Sequence, residues 1–568
     1  MNDRAAPGAL TTAVYAVVLF GLALASRVAL IDLPPVYDEL YQMLPAKSWI
    51  ERGDFAVLDG FYERSSLFTR IIALSFQAMG EMSVEAARLL PSVVPGALLV
   101  AVVFAWTRLV FGALAGWIVA VFVLLWPNGI EVSQFARFYA LQGLFFFLGA
   151  IAIYHLFDEG RSLVGRIALG LAAAVAMLFA TALQIVTLIG LMGVAIWFLA
   201  FPYLPLLRAH IWVRVASAIG AVAVIGVLAS GVFTDDLVWL WTTYRWEPWP
   251  PANDVFFYHR EFRDAYPTFW PLLPLLAVVA VATKPRPAFL CVAIFGVSIV
   301  MQSFGGLKGL RYLYQAMPFF FIVCAVGTAA AAERIFAYAA ERAEDALGSL
   351  LSWRSRGVRA AGVALAAVCA LFLVMANAAF ERALQLMRGV PADTLVSKAR
   401  VDWRAAGDLA DPWIDQGAII VVSGEILAVE WLGDFDVGYN KPRFSELLYT
   451  VGPDAAPFTK DARTGRPLIG EIEDFRRLMI CEPVGLYLAG EIVLRREQAV
   501  DVLYAAQAVG ATIDISSKDG VAAIGWRRDG PRDEADCAAI TPPPEDRAAT
   551  RIRSGERPPV LVSGLGRD

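Results

Sequence analysis

The stretch that decides the fold is an apolar run, Ala9-Leu-Thr-Thr-Ala-Val-Tyr-Ala-Val-Val-Leu-Phe-Gly-Leu-Ala-Leu-Ala-Ser-Arg-Val-Ala-Leu-Ile31, followed by a polar island, Val36-Tyr-Asp-Glu-Leu-Tyr41. A run of roughly 20 apolar residues is long enough to cross a bilayer as a helix. Two carboxylates so close to hydrocarbon are costly unless they have a partner or a function. The stretch therefore predicts a membrane-spanning helix followed by a site that uses Asp38 and Glu39.

The rest of the chain repeats the apolar pattern. Of its 568 residues, 58% are hydrophobic and 18% are charged, and the mean hydropathy is +0.59. A soluble globular protein is excluded, because its water-exposed faces would need more polar residues. We predict a polytopic α-helical membrane protein with about eleven spans. The expected spans are 9–31, 89–108, 112–127, 137–157, 166–181, 182–201, 212–233, 268–283, 287–303, 312–331 and 358–379.

The basic residues fix the expected orientation. Those in alternate loops, among them Arg161, Arg208 and Arg356, fall on one side if the N-terminus is cytoplasmic. The first run exceeds the apolar region of a signal peptide and lacks a clear cleavage site before Asp32, so it is expected to be retained. The localisation expected is a bacterial-type inner membrane, with the C-terminal part periplasmic. The loops expected outside are 32–88, 128–136, 234–267, 304–311 and everything after about 380.

The composition changes to that of a soluble domain near residue 390. We therefore predict a membrane module over 1–390 that includes the first outer loop, 32–88, and a periplasmic α/β domain over 391–542. The tail, 543–568, is rich in Pro, Arg and Asp and is expected to be disordered. The strands and helices predicted in the α/β domain are strands at 418–423, 485–489 and 521–526 and helices at 402–409 and 496–509.

Two of the five cysteines, Cys481 and Cys537, lie in the predicted periplasmic domain. An oxidising compartment permits a disulfide between them. Cys291, Cys324 and Cys369 lie in apolar spans, where a thiol usually behaves as a small hydrophobe.

The first outer loop is dense in groups capable of chemistry. Asp38 is the best candidate for a catalytic base, since a carboxylate at the membrane surface can accept a proton from an acceptor hydroxyl. Glu39 stands beside it, and the alternative for both is that they cap the following helix. Arg64 could bind a phosphate through its planar fork, with Glu63 as its orienting partner or as a metal ligand. The alternative for this second pair is an exposed ion pair of little energetic value.

Later outer loops add cations and aromatic residues. Arg137 and Tyr139 open the fourth span, and Lys308, Arg311 and Tyr312 open the tenth. Together these residues could bind a lipid phosphate, although interfacial Lys, Arg and Tyr also anchor membrane proteins without any ligand.

His259 is a further candidate for phosphate or metal binding, in a loop whose many aromatic residues mostly fit an interfacial belt. No phosphate-cradling glycine loop supports a nucleotide cofactor, because Gly305-Gly306 lacks the strand–loop–helix context. No cofactor is therefore expected. A divalent metal stays open, with Glu63 and His259 as its candidates, and no nucleic-acid partner is expected.

Several motifs, in this order, resemble those of the integral-membrane glycosyltransferases of the C-type fold, in the branch of the protein O-mannosyltransferases and the lipid A aminoarabinose transferases. No single motif is specific, but the series covers roughly residues 10–330. Its members are Asp38-Glu39, Glu51-Arg-Gly-Asp-Phe55, Gly60-Phe-Tyr-Glu-Arg64, Ser83 to Pro91, Ala136-Arg-Phe-Tyr-Ala140, and Arg311-Tyr-Leu313 followed by Pro318.

The resemblance implies transfer of a sugar from a polyprenyl-phosphate carrier to an acceptor on the outer face. Asp38 would be the base of an inverting displacement, and Glu63 and Arg64 would line the donor phosphate, with Lys308 and Arg311 neutralising it. The acceptor could be an envelope glycan, a glycolipid or a protein. One departure is Leu141-Gln142, where some relatives place an acidic residue.

Two alternatives remain at this point. A polymerase or ligase would use a diphosphate-linked lipid donor, and such enzymes usually present their key groups in a late outer loop. A transporter of lipids or sugars would place ionisable residues in the middle of its spans, whereas here they cluster outside them.

Overall fold

The computed structural model describes residues 8–61, 65–209, 211–212, 214–215, 219, 230, 254–305, 308–347, 376–391, 402–439, 459–461, 463–490, 498–529 and 547–553. The chain divides into two compact units. Unit 1 comprises 1–29, 92–134 and 138–390, and unit 2 comprises 30–91, 135–137 and 391–568. Unit 2 thus includes the first loop, 32–88, together with the C-terminal part of the chain, and the predicted domain bounds stay predictions.

Long apolar helices dominate the described part of unit 1. Within the described residues, six helices are long and apolar enough to cross a membrane, and up to eight if each of two bent pairs counts as one span. These helices confirm the predicted polytopic helical architecture. The six are Ala9–Val28, Val84–Phe111, Tyr139–Leu156, Leu163–Leu183, Pro285–Phe304 and Met317–Ile335. A shorter apolar helix covers Thr187–Tyr203. The predicted spans 212–233 and 358–379 lie largely outside the described residues.

Prolines explain the two bent pairs. Ala113–Leu124 and Pro127–Ser133 meet at 56°, and Phe257–Ala265 and Phe269–Thr283 meet at 94°. Each break lies at a proline, Pro127 or Pro267, which cannot donate to a helical carbonyl and disfavours a helical conformation in the residue before it. Trp126, just before Pro127, is accordingly extended, with φ −84° and ψ 106°.

Aromatic side chains fill much of the described interior of unit 1. Phe262 contacts the rings of Phe295 and Phe320 at centroid distances of 5.7 and 5.2 Å, and Trp126 lies 4.6 Å from Tyr314. The last described helix of this group extends well beyond its apolar part, over Met317–Leu347.

A seven-stranded mixed sheet forms the centre of unit 2, in the order β5-β6-β4-β3-β7-β9-β8. Strands β3, β4, β6 and β7 are parallel, and the remaining pairs are antiparallel. The strands are β3 (Ile419–Ser423), β4 (Val437–Tyr439), β5 (Thr459–Lys460), β6 (Pro467–Ile469), β7 (Val484–Gly490), β8 (Thr512–Lys518) and β9 (Val521–Arg527). The α/β domain and its three predicted strands, here β3, β7 and β9, are confirmed.

Helices alternate with these strands and cover the sheet. The described helices of this part are Ala405–Ile414, Glu425–Leu432, Ile472–Cys481, Gln498–Ala508 and Ala548–Arg553. The last of them lies within the predicted tail, 543–568, whose disorder stays a prediction. Its Ala548 N–H donates to Asp436 at 2.6 Å, and Arg547 pairs with Glu482 at 2.8 Å.

The first loop contributes its own elements to unit 2. It forms the helix Tyr37–Arg52, a short hairpin of β1 (Ala56–Val57) and β2 (Gly60–Phe61), and the helix Ser66–Met79. Gly60 is required because a Cβ there would lie 2.3 Å from the backbone of Arg463.

Candidate functional site

The helix Tyr37–Arg52, called here the first-loop helix, begins at the polar island. Pro34 and Pro35 precede it, and Val36 is extended at φ −83° and ψ 158°. The Val36 N–H donates to the Glu39 carboxylate at 2.9 Å, which satisfies one of the donors that a helix start leaves unpaired. Asp38 and Glu39 both lie in the first turn, where the helix dipole favours negative charge.

Glu39 is completely buried and forms an ion pair with Arg88. The Arg88 Nε and Nη2 atoms each donate to one oxygen of Glu39 at 2.7 Å, and the Ala136 N–H donates to the same carboxylate at 2.7 Å. Arg88 also donates to the carbonyls of Ile31 and Leu33 at 2.7 and 2.6 Å. Both oxygens of Glu39 are thus used in holding the chain together, so the geometry favours the capping alternative for this residue.

Asp38 differs from its neighbour in exposure. Its residue is only partly buried, while its backbone carbonyl accepts a hydrogen bond from Arg137 Nη1 at 3.0 Å. Arg137 itself is 2% exposed. The structure therefore brings the predicted residues Asp38 and Arg137 together, through the main chain of Asp38, and leaves the residue Asp38 partly exposed.

A third arginine contacts the same helix from the segment between β5 and β6 of unit 2. Arg463, which is 2% exposed, donates through Nη1 to the Tyr37 hydroxyl at 2.7 Å and to the Tyr41 hydroxyl. Its Nη2 lies 3.3 Å from Glu425, and its Nε donates to Asp461 at 2.9 Å. Tyr37 in turn donates to Glu425 at 2.7 Å. We call Tyr37, Tyr41, Glu425, Asp461 and Arg463 the Arg463 cluster.

Burial sets the protonation of this cluster. The pKa of Asp461 is raised to about 7, first by burial and then by the neighbouring Glu425 charge, while hydrogen bonds from the Arg463 N–H and the Thr464 hydroxyl offset part of the shift. Burial also raises the pKa of Tyr37 well above its ordinary value, and Glu425 adds to that shift. Near neutral pH, the Asp461 carboxyl is therefore partly protonated, while the Tyr37 hydroxyl keeps its proton.

Only the first part of the motif Gly60 to Arg64 lies within the described residues. Its first residues form β2, next to Asp59, whose carboxylate lies 2.5 Å from Arg466. The predicted donor-binding residues Glu63 and Arg64 lie outside the described residues, so their roles stay predictions.

The predicted cationic segment before the tenth span lies in unit 1. Lys308 Nζ donates to the carbonyls of Gln302 and Ser303 at 3.1 and 2.5 Å, and partial burial lowers its pKa. The Arg311 guanidinium lies 5.3 Å from the Tyr312 ring centroid, and Tyr312 contacts Tyr139 at 6.3 Å. The predicted binding residues Lys308, Arg311, Tyr312 and Tyr139 thus all lie in this unit, and Tyr312 and Tyr139 form a pair.

His259 is exposed, and its Nδ1 accepts a hydrogen bond from Trp270 Nε1 at 2.9 Å. Within the described residues, no three His, Cys, Asp or Glu side chains form a group that could hold a metal ion. The other predicted metal candidate, Glu63, is not among those residues. Metal binding by either residue therefore stays a prediction.

Gln142, at the departure from the family pattern, is buried. Its amide donates to Thr187 at 3.0 Å and to Gln315 at 2.8 Å. The position that is acidic in some relatives thus joins neighbouring helices of unit 1 here.

Among the cysteines, Cys291 and Cys324 are free and buried, as expected of thiols in apolar spans. Cys481 is disulfide-bonded. Its predicted partner, Cys537, lies outside the described residues, so the pairing stays a prediction.

Sequence reasoning missed the role of two arginines. Arg88 stood inside a motif of the resemblance, and its spacing after the acidic pair was the only available signal. Arg463 offered none, because no local pattern links it to tyrosines more than 420 positions away.

The fold of the chain is similar to the C-type fold of solved membrane glycosyltransferases. Among solved structures, the chain is similar to ArnT from Cupriavidus metallidurans. The match to ArnT bound to undecaprenyl phosphate has a TM-score of 0.57 and 16% identity, and it covers 91% of this chain and 99% of that one.

The apo form of the same ArnT matches with a TM-score of 0.56 and 16% identity, over 94% of this chain and 100% of that one. An oligosaccharyltransferase from Archaeoglobus fulgidus aligns with a TM-score of 0.49 and 11% identity, over 89% of this chain and 69% of that one. No family model and no curated protein matches the sequence.

Proposed function

We propose that this protein is a membrane glycosyltransferase that moves a sugar from a polyprenyl-phosphate donor to an acceptor on the outer face of a bacterial inner membrane. The observation that supports it most is the partly exposed Asp38 on a turn fixed by buried arginines, in a chain with this transferase fold. The ArnT structure with undecaprenyl phosphate supports the choice of lipid carrier.

In the proposed reaction, an acceptor hydroxyl attacks the anomeric carbon of the donor sugar. Asp38 takes the hydroxyl proton while the new carbon–oxygen bond forms and the bond to the phosphate oxygen breaks. The products are the glycosylated acceptor, with inverted configuration at the anomeric carbon, and the polyprenyl phosphate. No nucleotide is needed, because the lipid phosphate is already the leaving group.

The growing charge on the leaving phosphate requires cations. Lys308, Arg311 and Arg64 are proposed to supply them, with Glu63 lining the donor phosphate as the orienting partner of Arg64. Lys308 donates to two neutral carbonyls, which do not cancel its charge, so the charge can act on an anionic ligand. Tyr139, Tyr312 and His259 are proposed to contact the donor beside these cations.

Arg137 has a second proposed role. Its bond to the Asp38 carbonyl places a buried positive charge on the turn of the catalytic carboxylate, and an adjacent cation favours the ionised form of a carboxylate. The N-terminus is proposed to be cytoplasmic and the mixed-sheet domain periplasmic, where an envelope glycan, glycolipid or protein would be the acceptor.

The test uses the purified full-length protein in lipid nanodiscs. It is supplied separately with synthetic undecaprenyl-monophosphate-linked and undecaprenyl-diphosphate-linked pentoses and hexoses, together with envelope extract as acceptor. We expect release of undecaprenyl phosphate from a monophosphate donor and labelling of an acceptor fraction. The Asp38→Asn protein serves as the matched inactive control.

Turnover of the diphosphate donors alone would overturn the proposal in favour of a polymerase or ligase. Movement of donor across the bilayer without cleavage would indicate a transporter. Mass spectrometry of envelope glycolipids, glycans and proteins from a deletion strain would then identify the acceptor, as the fraction that loses a sugar.

A further inference from the structure

The Arg463 cluster joins the mixed-sheet domain to the helix turn that bears Asp38. Tyr37 is the residue before Asp38, and Tyr41 lies one helical turn further on the same face. Their rings meet edge to face at 5.2 Å, and the Arg463 guanidinium carbon lies 5.6 Å from both ring centroids. One arginine thus fixes two side chains on the face of the helix next to Asp38.

The hydrogen bonds that Tyr37 and Arg463 make allow one arrangement. Tyr37 donates its single hydroxyl proton to Glu425 at 2.7 Å, so its oxygen accepts from Arg463 at 2.7 Å. Arg463 has no acceptor capacity, and its Nε and main-chain N–H both point to Asp461, at 2.9 and 3.0 Å. Asp461 is held in turn by the Thr464 hydroxyl at 3.0 Å. The direction of each hydrogen bond that Tyr37 and Arg463 make is therefore determined.

The base of the cluster is rigid as well. Glu425 follows β3 directly across Gly424, whose φ of +120° favours glycine. Ser423, the last residue of β3, bonds to the Tyr439 carbonyl at 2.6 Å and to the Tyr487 hydroxyl at 2.7 Å. The helix turn of Asp38 is thus tied to the centre of a seven-stranded sheet.

We propose that Arg463 and Glu425 are positioning residues for the transfer reaction, because through the Tyr37 and Tyr41 hydroxyls they hold the turn that presents Asp38. The mixed-sheet domain is then part of the catalytic machinery. This inference rests on the function proposed above. A general base must be held within hydrogen-bond reach of the proton that it removes, and a displacement of about 1 Å can cost roughly 10²-fold in rate.

The structure also offers a contact that joins the same two helices without touching this turn. Glu430 lies five residues after Glu425 on the helix Glu425–Leu432, and it interacts electrostatically with Lys47. Lys47 lies nine residues beyond Asp38 on the first-loop helix. Removing the Glu430 charge therefore tests the association of the two helices and leaves the Asp38 turn untouched.

The experiment compares Tyr37→Phe and Arg463→Lys with Glu430→Gln as the matched control. Tyr37→Phe keeps the ring and removes only the bridging hydroxyl, and Arg463→Lys keeps the charge but loses the fork that reaches four partners. Two measurements are made on full-length protein in nanodiscs: hydrogen exchange of the backbone amides of residues 36–44 without ligand, and kcat and KM for the monophosphate donor that the wild type uses.

We expect both cluster variants to exchange faster over residues 36–44 and to lose 10- to 100-fold in kcat, with donor KM changed less than threefold. Glu430→Gln should retain wild-type kcat. Unchanged exchange in both cluster variants, or faster exchange with unchanged kcat, would overturn the positioning role. An equal loss of kcat in Glu430→Gln would also overturn it, as an effect of helix association alone.

The two proposals fail in different ways. If the wild type cleaves no monophosphate donor, the proposed function is overturned, and with it any catalytic role of the cluster. If the wild type is active and Asp38→Asn is not, while the cluster variants keep full kcat, the proposed function stands and the positioning role falls.

Discussion

The turn of residues 36–39 and the segment of residues 308–312 look alike in the sequence, since each is a short polar stretch beside an apolar span. In the structure, the charged side chains of the two stretches differ in their partners and in their burial. In the first, Glu39 is buried against Arg88 through two bonds of 2.7 Å. In the second, Lys308 rests on two main-chain carbonyls and is only partly buried.

This difference shows that a rigid carboxylate and an adaptable cation are built by different means. Charge-assisted bonds to Arg88, Arg137 and Arg463 over-determine the position of the Asp38 turn. A flexible lysine stem bonded to carbonyls can follow a lipid phosphate that arrives and leaves. We expect substitutions in the first region to change kcat or folding, and those in the second to change donor affinity.

The largest effect is expected from Asp38→Asn. Loss of the base should reduce transfer by about 10²- to 10⁴-fold, because the amide cannot accept the hydroxyl proton. The thermal midpoint of unfolding and undecaprenyl-phosphate binding, followed by native mass spectrometry, should stay at wild-type values. Normal turnover by this variant would remove Asp38 from the mechanism.

The same chemical change one residue later should act on folding. Glu39→Gln leaves Arg88 buried without its counter-charge, and breaking a buried pair costs about 3–5 kcal/mol. Thermal unfolding in detergent should show a lower midpoint and a lower yield of folded protein. Glu473→Gln, which removes an exposed pair with Arg476, is the control and should change stability by less than about 1 kcal/mol. Equal midpoints in the two variants would show that the buried pair is not a structural support.

The Arg463 cluster predicts a pH dependence of stability. Because the pKa of Asp461 is about 7 in the fold against 3.8 in the unfolded chain, the folded state keeps a proton that the unfolded chain releases. This contribution therefore lowers the free energy of unfolding by at most about 4 kcal/mol as the pH rises from about 4 to about 7. Outside that window the contribution is constant.

Asp461→Asn mimics the protonated carboxyl and removes that contribution. The thermal midpoints of unfolding of this variant and of the wild type are compared in buffers between pH 4.5 and 8. The midpoint of the variant should rise relative to that of the wild type as the pH rises through this window. A constant difference across the range would contradict the raised pKa of Asp461.

The smallest effect is expected at the cationic segment. Lys308→Met should raise the donor KM about tenfold, equivalent to about 1.4 kcal/mol, with a smaller change in kcat. Lys284→Met is the matched control. Lys284 is exposed and precedes the helix Pro285–Phe304, whereas Lys308 follows the other end of that helix. A tenfold change in both variants would indicate a general charge effect, and no change in either would exclude Lys308 from donor binding.

Much of the architecture could be predicted because its signals are local. A run such as Ala9–Val28 must find a nonpolar solvent, and the apolar β3 must be buried, whatever the rest of the chain does. The bends at Pro127 and Pro267 follow from proline itself, yet their angles of 56° and 94° depend on packing. Composition offers no sign of the contacts of residues 547–553, because their partners, Asp436 and Glu482, lie far away in the chain.

The sequence by itself determined that this is a polytopic helical membrane protein with a C-terminal α/β domain, and it marked Asp38 and Glu39 as a costly pair of charges. Only the tertiary structure assigned them different environments, Glu39 buried on Arg88 and Asp38 partly exposed. The physical reason is that hydrophobic burial can be read from neighbouring residues, whereas the partner of a buried charge can come from any distance. Arg463, 426 positions from Tyr37, is the clearest case.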